Sequence, residues 1–197
     1  IPEKHKGKFP KGTTKIHESI AYSDFALKRF FETASKQDWY KNTLFVVVAD
    51  HTSAEPTEAK FKTNVGKFRI PILFFDPSNP EMAGKNMKNL QQIHVMPSVI
   101  DYLNIDTKMI SYGKSYQSEK DFVVYYLDNI YHYISGDFYL AFDGKKSLGL
   151  YNFKNDELLK TNLIKTEKAK AIEMEGFIKA YIQSFNERLI GNKLTIQ

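Results

Sequence analysis

Residues 42–56 read NTLFVVVADHTSAEP. From Leu44 to Ala49 the run is apolar and β-branched, with no alternation of polar positions. A strand apolar on both faces belongs at the centre of a mostly parallel sheet. The run stops at an acid and a histidine side by side, Asp50 and His51. In open α/β sheets, ligands sit beyond the carboxyl ends of the strands. A carboxylate and an imidazole at such an exit can both coordinate a divalent cation. Phosphate and sulfate esters need that kind of cation, which neutralises oxygens gaining charge and lowers the pKa of an attacking group. The same dipeptide also suits a loop cap beside an incidental polar ring, and spacing alone leaves both readings open.

The flanking segments extend an α/β pattern. Residues 1–14 are rich in Pro, Gly and Lys and predict an extended loop. Ile20, Leu27, Phe31 and Ala34 recur at helical spacing, so a helix from Ile16 to about Ser35 is expected, with that stripe as its buried face. After a polar loop, FRIPILFF at 68–75 predicts a second buried strand, and Pro71 marks a strand start or an edge. QQIHVMPSVIDYLNI then predicts a short extended piece and a helix from about Pro97. Helix, strand, loop, strand, loop, helix is α/β organisation. Beyond Gly113 the character changes. Short Val/Tyr/Phe/Ile runs separated by Asp-Asn, Ser-Gly-Asp and Asp-Gly-Lys-Lys predict an antiparallel meander at 121–127, 129–134, 137–142 and 147–153. A closing helix is expected from about Thr166 to Ile190, with Ile178, Tyr181, Ile182, Phe185 and Leu189 on its apolar face.

Composition narrows the chemistry. The chain carries a net charge of +5, and Lys4, Lys6, Lys8, Lys11 and Lys15 crowd its start. Those lysines read as a solvated surface, because no helix carries a basic stripe interleaved with aromatics, and nucleic acid is not an expected partner. With no Cys, disulfides, thiolate metal sites and a Cys nucleophile within these residues are excluded. No apolar run reaches the roughly 18 residues of a membrane span. A nucleophile elbow, a P-loop, a GxGxxG and an HExxH are all absent. His5 and His17 lie in or beside polar loops, His94 precedes a helix, and His132 alternates with Tyr131 and Tyr133 as a strand surface residue. Asp76, in DPSNP, reads as turn chemistry.

Three segments in order, HESIAYSDFALKRFFETASKQDWYKNTLFVVVADHT, FRIPILFFDPS and QQIHVMPSVIDYLNI, resemble the C-terminal part of a sulfatase-type domain of the alkaline phosphatase superfamily. The resemblance is nearest to the branch of lipoteichoic acid synthases and phosphoglycerol transferases. It implies the C-terminal part of an α/β/α sandwich over 1–112, with an antiparallel β extension and terminal helix over 113–197. It also implies that Asp50 and His51 supply two ligands to a divalent metal, manganese or zinc. Arg69 matches a family arginine with a structural role. His94 stands where the family has an Asp that organises the following helix.

In this family the nucleophile, a Thr, Ser or modified Cys, and a further acidic ligand belong to the N-terminal half of the domain, which places them upstream of residue 1. The resemblance therefore implies a fragment of a phospho- or sulfo-ester hydrolase or transferase, inactive alone, acting in its parent on a lipid or glycan ester. That parent would be anchored in the cytoplasmic membrane, with this domain outside it and membrane contact made only through N-terminal segments. An alternative of another class is a non-catalytic module whose meander binds a glycan, a lipid headgroup or a protein. An enzyme fragment predicts that Asp50 and His51 converge at one edge of an incomplete cleft. A binding module predicts that polar groups gather on the meander.

Overall fold

A computed structural model of the chain describes residues 1–14, 16–53 and 56–196. Lys15, of the N-terminal lysine series, lies outside the described residues, as do Ala54 and Glu55 in the opening stretch. Among the described residues the α-helices are α1 (Ile16–Ala34), α2 (Val95–Tyr102) and α3 (Lys168–Ile190). The strands among them are β1 (Phe45–Val48), β2 (Ile72–Phe75), β3 (Val123–Leu127), β4 (Ile130–Ser135), β5 (Phe138–Phe142) and β6 (Ser147–Asn152). The class is mixed α/β with an antiparallel sheet and a C-terminal helix, as the sequence pattern implies. The chain divides into two units, Ile1–Val47 with Leu73–Gly84 and Val48–Ile72 with Lys85–Gln197.

In the first unit, β1 and β2 pair as a two-stranded sheet, and rings supply the packing. Phe31 of α1 lies 5.2 Å from Phe45 and 5.8 Å from Phe75 between ring centroids, and Phe45 stacks on Phe75 at 5.9 Å. Such pairs add about 0.5–1.5 kcal/mol each beyond their buried area. The expected α1 stripe is only partly covered. Ala34 is buried, but Ile20 and Leu27 remain 53% and 43% exposed. No residue of β1 or β2 is fully buried, and Leu73 is exposed. β2 is also shorter than FRIPILFF suggests. Gly66–Phe68 instead forms a 3-10 turn, and strand pairing begins only after Pro71, which has no N–H to donate.

The second unit is built on the sheet β3-β4-β5-β6, in which every neighbouring pair is antiparallel. Its turns follow from the residues singled out in the sequence. Asp128 and Asn129 both take positive φ, 52° and 62°, as a two-residue hairpin turn matched to strand twist requires. One face of the sheet packs on α3. Leu140, Leu150, Met174 and Ile178 are essentially inaccessible, with Val124, Tyr133, Phe142 and Ala171 around them. The buried positions of α3 are therefore Ala171, Met174 and Ile178, so the face begins further toward the N-terminus than expected, while Leu189 is exposed.

The opposite face carries a ladder of rings, one from each strand. Tyr125 stacks on His132 at 4.4 Å, His132 on Tyr139 at 5.8 Å, and Tyr139 on Tyr151 at 5.8 Å. Gly149 is required here, since a Cβ would come within 2.7 Å of the Tyr151 ring. His132 is 2% exposed, which corrects the expectation of a surface position. The residues 64–68 cover this face. Phe68 lies 4.5 Å from Tyr125, Asn64 Nδ2 donates to the Tyr139 hydroxyl at 3.2 Å, and the Tyr125 hydroxyl donates to the Asn64 carbonyl. Alternation alone did not show that both faces of the sheet would be occupied.

Two tests follow from this packing. Ile178→Ala should cost about 2–5 kcal/mol, as truncation in a close-packed core does, measured by urea unfolding. The second concerns pH. Burial lowers the pKa of His94 and of His132, outweighing Asp121 beside the first and Asp128 beside the second; Lys67 reinforces the effect at His132. The unfolded chain then binds more protons than the folded one below its own His pKa of about 6.5. Stability present above that pH should be lost as pH falls from it through the lowered folded-state values, and His132→Phe should flatten the slope in unfolding curves taken across that fall.

Candidate metal centre

Asp50 and His51 lie just beyond β1 in the segment 49–52, which is held from both sides. On one side, Gln92 Nε2 donates to the Ala49 carbonyl at 2.9 Å and to the Asp50 carbonyl at 3.2 Å. On the other, the Thr52 hydroxyl donates to the Lys67 carbonyl at 2.6 Å. Lys67 belongs to the Gly66–Phe68 turn, where backbones approach so closely that a Cβ on Gly66 would sit 1.8 Å from the Lys60 carbonyl oxygen.

Within this frame the two side chains turn toward each other. The His51 backbone N–H donates to Asp50 Oδ1 at 2.9 Å, which leaves Oδ2 facing His51 Nε2 at 3.5 Å. His51 Nδ1 lies 2.7 Å from the Thr52 carbonyl. A carbonyl can only accept, so Nδ1 carries the proton, and a neutral ring then presents its lone pair on Nε2. This is the arrangement a metal-binding imidazole adopts, one nitrogen held by a carbonyl and the other open. Two donors about 2.1 Å from a tetrahedral cation are about 3.4 Å apart, close to the separation found here.

The donor set therefore fits two ligands of a divalent cation. The side chains are 88% and 79% exposed, so as an ion pair they would contribute only about 0–1 kcal/mol to stability. Among the described residues, no group of three or more His, Cys, Asp or Glu is placed to hold a metal.

The remaining histidines are accounted for by packing. His5 sits among Tyr22, Phe25 and Phe9, and His17 Nδ1 accepts the Thr13 N–H at 3.1 Å. His94 is 2% exposed and packs edge-on to Phe122 at 5.2 Å, with Nδ1 3.3 Å from the Gln91 nitrogen at the entry to α2. His94 thereby closes a capping box with Gln91 around the 3-10 turn Gln92–His94 that leads into α2. Arg69 closes the Gly66–Phe68 turn through its backbone N–H to the Gly66 carbonyl. Asp76 accepts from the N–H and hydroxyl of Ser78, as its turn motif predicts. The sequence reading missed Gln92 and Thr52 as supports of the pair, because neither carries a motif or a periodic position.

Comparison with solved structures shows that the fold is a known one. A protein of the alkaline phosphatase superfamily from Vibrio parahaemolyticus superposes with a TM-score of 0.74 at 20% identity, covering 98% of this chain and 47% of its own. Ps i-CgsB superposes at 0.69 and 15% identity, covering 91% of this chain and 46% of its own. Its complex with k-i-k-neocarrahexaose superposes at 0.65 and 16% identity, with coverages of 88% and 45%. The chain thus spans about half the length of the solved structures it matches. No curated protein matches it. The sulfatase family model matches residues 2–105 of the 197, more than half of the chain, which therefore belongs to the sulfatase family.

Proposed function

We propose that the chain is the C-terminal part of a metal-dependent enzyme acting on a phosphate or sulfate ester, and that Asp50 and His51 are two of its metal ligands. The observation that carries this reading is the convergence of Asp50 Oδ2 and His51 Nε2 beyond β1, with His51 Nδ1 held by a backbone carbonyl. A divalent cation, manganese or zinc, would neutralise charge on the ester oxygens and acidify an attacking hydroxyl. Asp50 contributes the negative charge and His51 a neutral nitrogen donor. Gln92 and Thr52 fix the backbone from which both project. The hydroxyl nucleophile and the remaining ligands belong to the other half of the domain. The half-covered sheet of the first unit supports this division, since β1 has an apolar sequence but no fully buried residue.

By resemblance of its ordered motifs, the parent is a phosphoglycerol transferase-like enzyme, with residues 1–112 in the catalytic fold and 113–197 as its extension. Its substrate is a lipid or glycan ester. A glycan is also the ligand of one structural neighbour, solved with k-i-k-neocarrahexaose. Among the described residues, no helix is long and apolar enough to cross a membrane. By the same resemblance, the proposed extracytoplasmic parent is anchored through N-terminal segments. The competing reading, a binding module centred on the meander, is disfavoured because α3 covers one face of that sheet and residues 64–68 the other.

In the complete protein, Asp50→Ala and His51→Ala should each lower activity and metal content by about 100-fold or more, exceeding the 10–100-fold typical of losing an outer partner. Metal analysis beside a phosphodiesterase and a sulfatase assay checks this, and full activity in both variants would refute the assignment. The 197-residue chain alone should show no metal-stimulated hydrolysis of either ester class; turnover that disappears in Asp50→Ala would overturn the fragment reading.

A further inference from the structure

Two atoms of Thr52 stand between the candidate ligands and the rest of the second unit. Its carbonyl lies 2.7 Å from His51 Nδ1, and its hydroxyl donates to the Lys67 carbonyl at 2.6 Å. A neutral histidine side chain in water prefers its proton on Nε2. A ring with that tautomer would aim an N–H at Asp50 Oδ2 and leave its lone pair on Nδ1, against the Thr52 carbonyl and turned away from the side where Asp50 Oδ2 could share a ligand. The Thr52 carbonyl reverses the preference, but only while it stays aligned with the ring. Residue 52 lies in a loop, so its alignment depends on what the hydroxyl holds.

Lys67 is itself anchored. Phe68 rests on Tyr125, and Asn64 is gripped twice, by the Tyr139 hydroxyl that accepts from its side chain and by the Tyr125 hydroxyl that donates to its carbonyl. Those two tyrosines flank His132 in the buried ring ladder. A continuous path of packed rings and hydrogen bonds therefore runs from β3 and β5 through residues 64–68 to Thr52 and His51.

We propose that Thr52 is a positioning residue that fixes His51 with its proton on Nδ1 and its Nε2 lone pair turned to Asp50, and that the ring ladder of the antiparallel sheet is the anchor of this latch. The proposal rests on the metal-ligand reading for its purpose, but the tautomer is measurable without any metal. It gives the C-terminal sheet a part in the site that the sequence boundary at 112 conceals.

The test is two-bond 1H–15N correlation of the imidazole rings in the metal-free, 15N-labelled 197-residue chain at about pH 8, where imidazoles are neutral. His51 is assigned by its disappearance in His51→Gln. The wild-type ring should show the Nδ1–H pattern. Thr52→Val, isosteric but without the hydroxyl, should shift His51 toward Nε2–H, while Thr52→Ser should retain the wild-type pattern. Tyr125→Phe, which removes only the hydroxyl on Asn64, should shift His51 in the same direction by a smaller fraction. Dispersed sheet amides show that each variant is folded, and Thr52→Ala serves if the valine variant is not. A wild-type Nε2–H ring, or an unchanged Nδ1–H ring in the folded Thr52 variants, overturns the proposal. No shift in folded Tyr125→Phe overturns its anchor. Asp50→Ala separates the two readings. It should keep the Nδ1–H ring while losing the perturbation of His51 by added Zn2+, so a retained tautomer with no Zn2+ response in the wild type would count against the ligand role alone.

Discussion

Two consecutive side-chain amides tie the second unit together. Gln91 Oε1 accepts the Val124 N–H at 2.7 Å, and its Nε2 donates to the Val124 carbonyl at 3.2 Å. The pairing supplies what a further strand would give to β3, which lies at one end of the sheet order. An open edge carries unsatisfied backbone groups and invites unwanted pairing, so this cap matters beyond its own hydrogen bonds. Gln92, the next residue, donates to the carbonyls of Ala49 and Asp50. A peptide step of one residue thus links the edge of the antiparallel sheet to the loop bearing the candidate ligands. Each bond contributes about 0.5–1.5 kcal/mol, but leaving buried partners unmade would cost more.

The sheet repays that link by being rigid on both faces. Against α3 the contact is aliphatic and aromatic, with Tyr133 stacked on Phe177 at 4.7 Å. On the ladder face it is aromatic and hydrogen-bonded, so the phenols must remain protonated to act as donors. Burial ensures this, pushing Tyr139 up to about 12 and Tyr125 higher still. The same burial keeps His132 neutral, its Nδ1 2.7 Å from the Tyr139 hydroxyl. The chain's wealth of Tyr and Phe is therefore spent largely on placement.

Local patterns in the sequence made the strands and turns legible. The Asp-Asn and Ser-Gly-Asp punctuation marks hairpins because those residues tolerate the backbone angles that tight turns need, and β3 to β6 fall within two residues of the expected ranges. Ordered motifs, and not spacing, raised Asp50 and His51 above an ordinary loop dipeptide. What stayed hidden depends on distant partners. His132 looks exposed by alternation until residues 64–68 are seen to cover it. The α1 stripe looks like a core face, yet Ile20 and Leu27 remain about half exposed among the described residues of this chain. Gln91, Gln92 and Thr52 act through single amides and one hydroxyl, which leave no period or motif to read.

The contrast between His94 and His51 shows how the fold distributes polar groups. His94 is sealed beside Phe122 with Nε2 lacking a hydrogen-bond partner, and burial holds its pKa below the ordinary value. A charged carboxylate at that position would need stronger compensation in so closed a place, whereas a neutral ring adds apolar contact and tolerates one unpaired nitrogen at a cost of about 1–3 kcal/mol. His51 is the reverse case, exposed and contributing almost nothing to stability, with its backbone N–H on Asp50 Oδ1 and its ring held by the Thr52 carbonyl, a backbone group fixed by residues deeper in the unit. A donor meant for a ligand has to be both accessible and oriented. Accessibility removes the packing that would normally orient a side chain, so orientation has to be supplied from below, by the Thr52 carbonyl, the Lys67 turn and the Gln92 amide. The stable part of this chain and its candidate ligands are thus different residues joined by a few directional bonds.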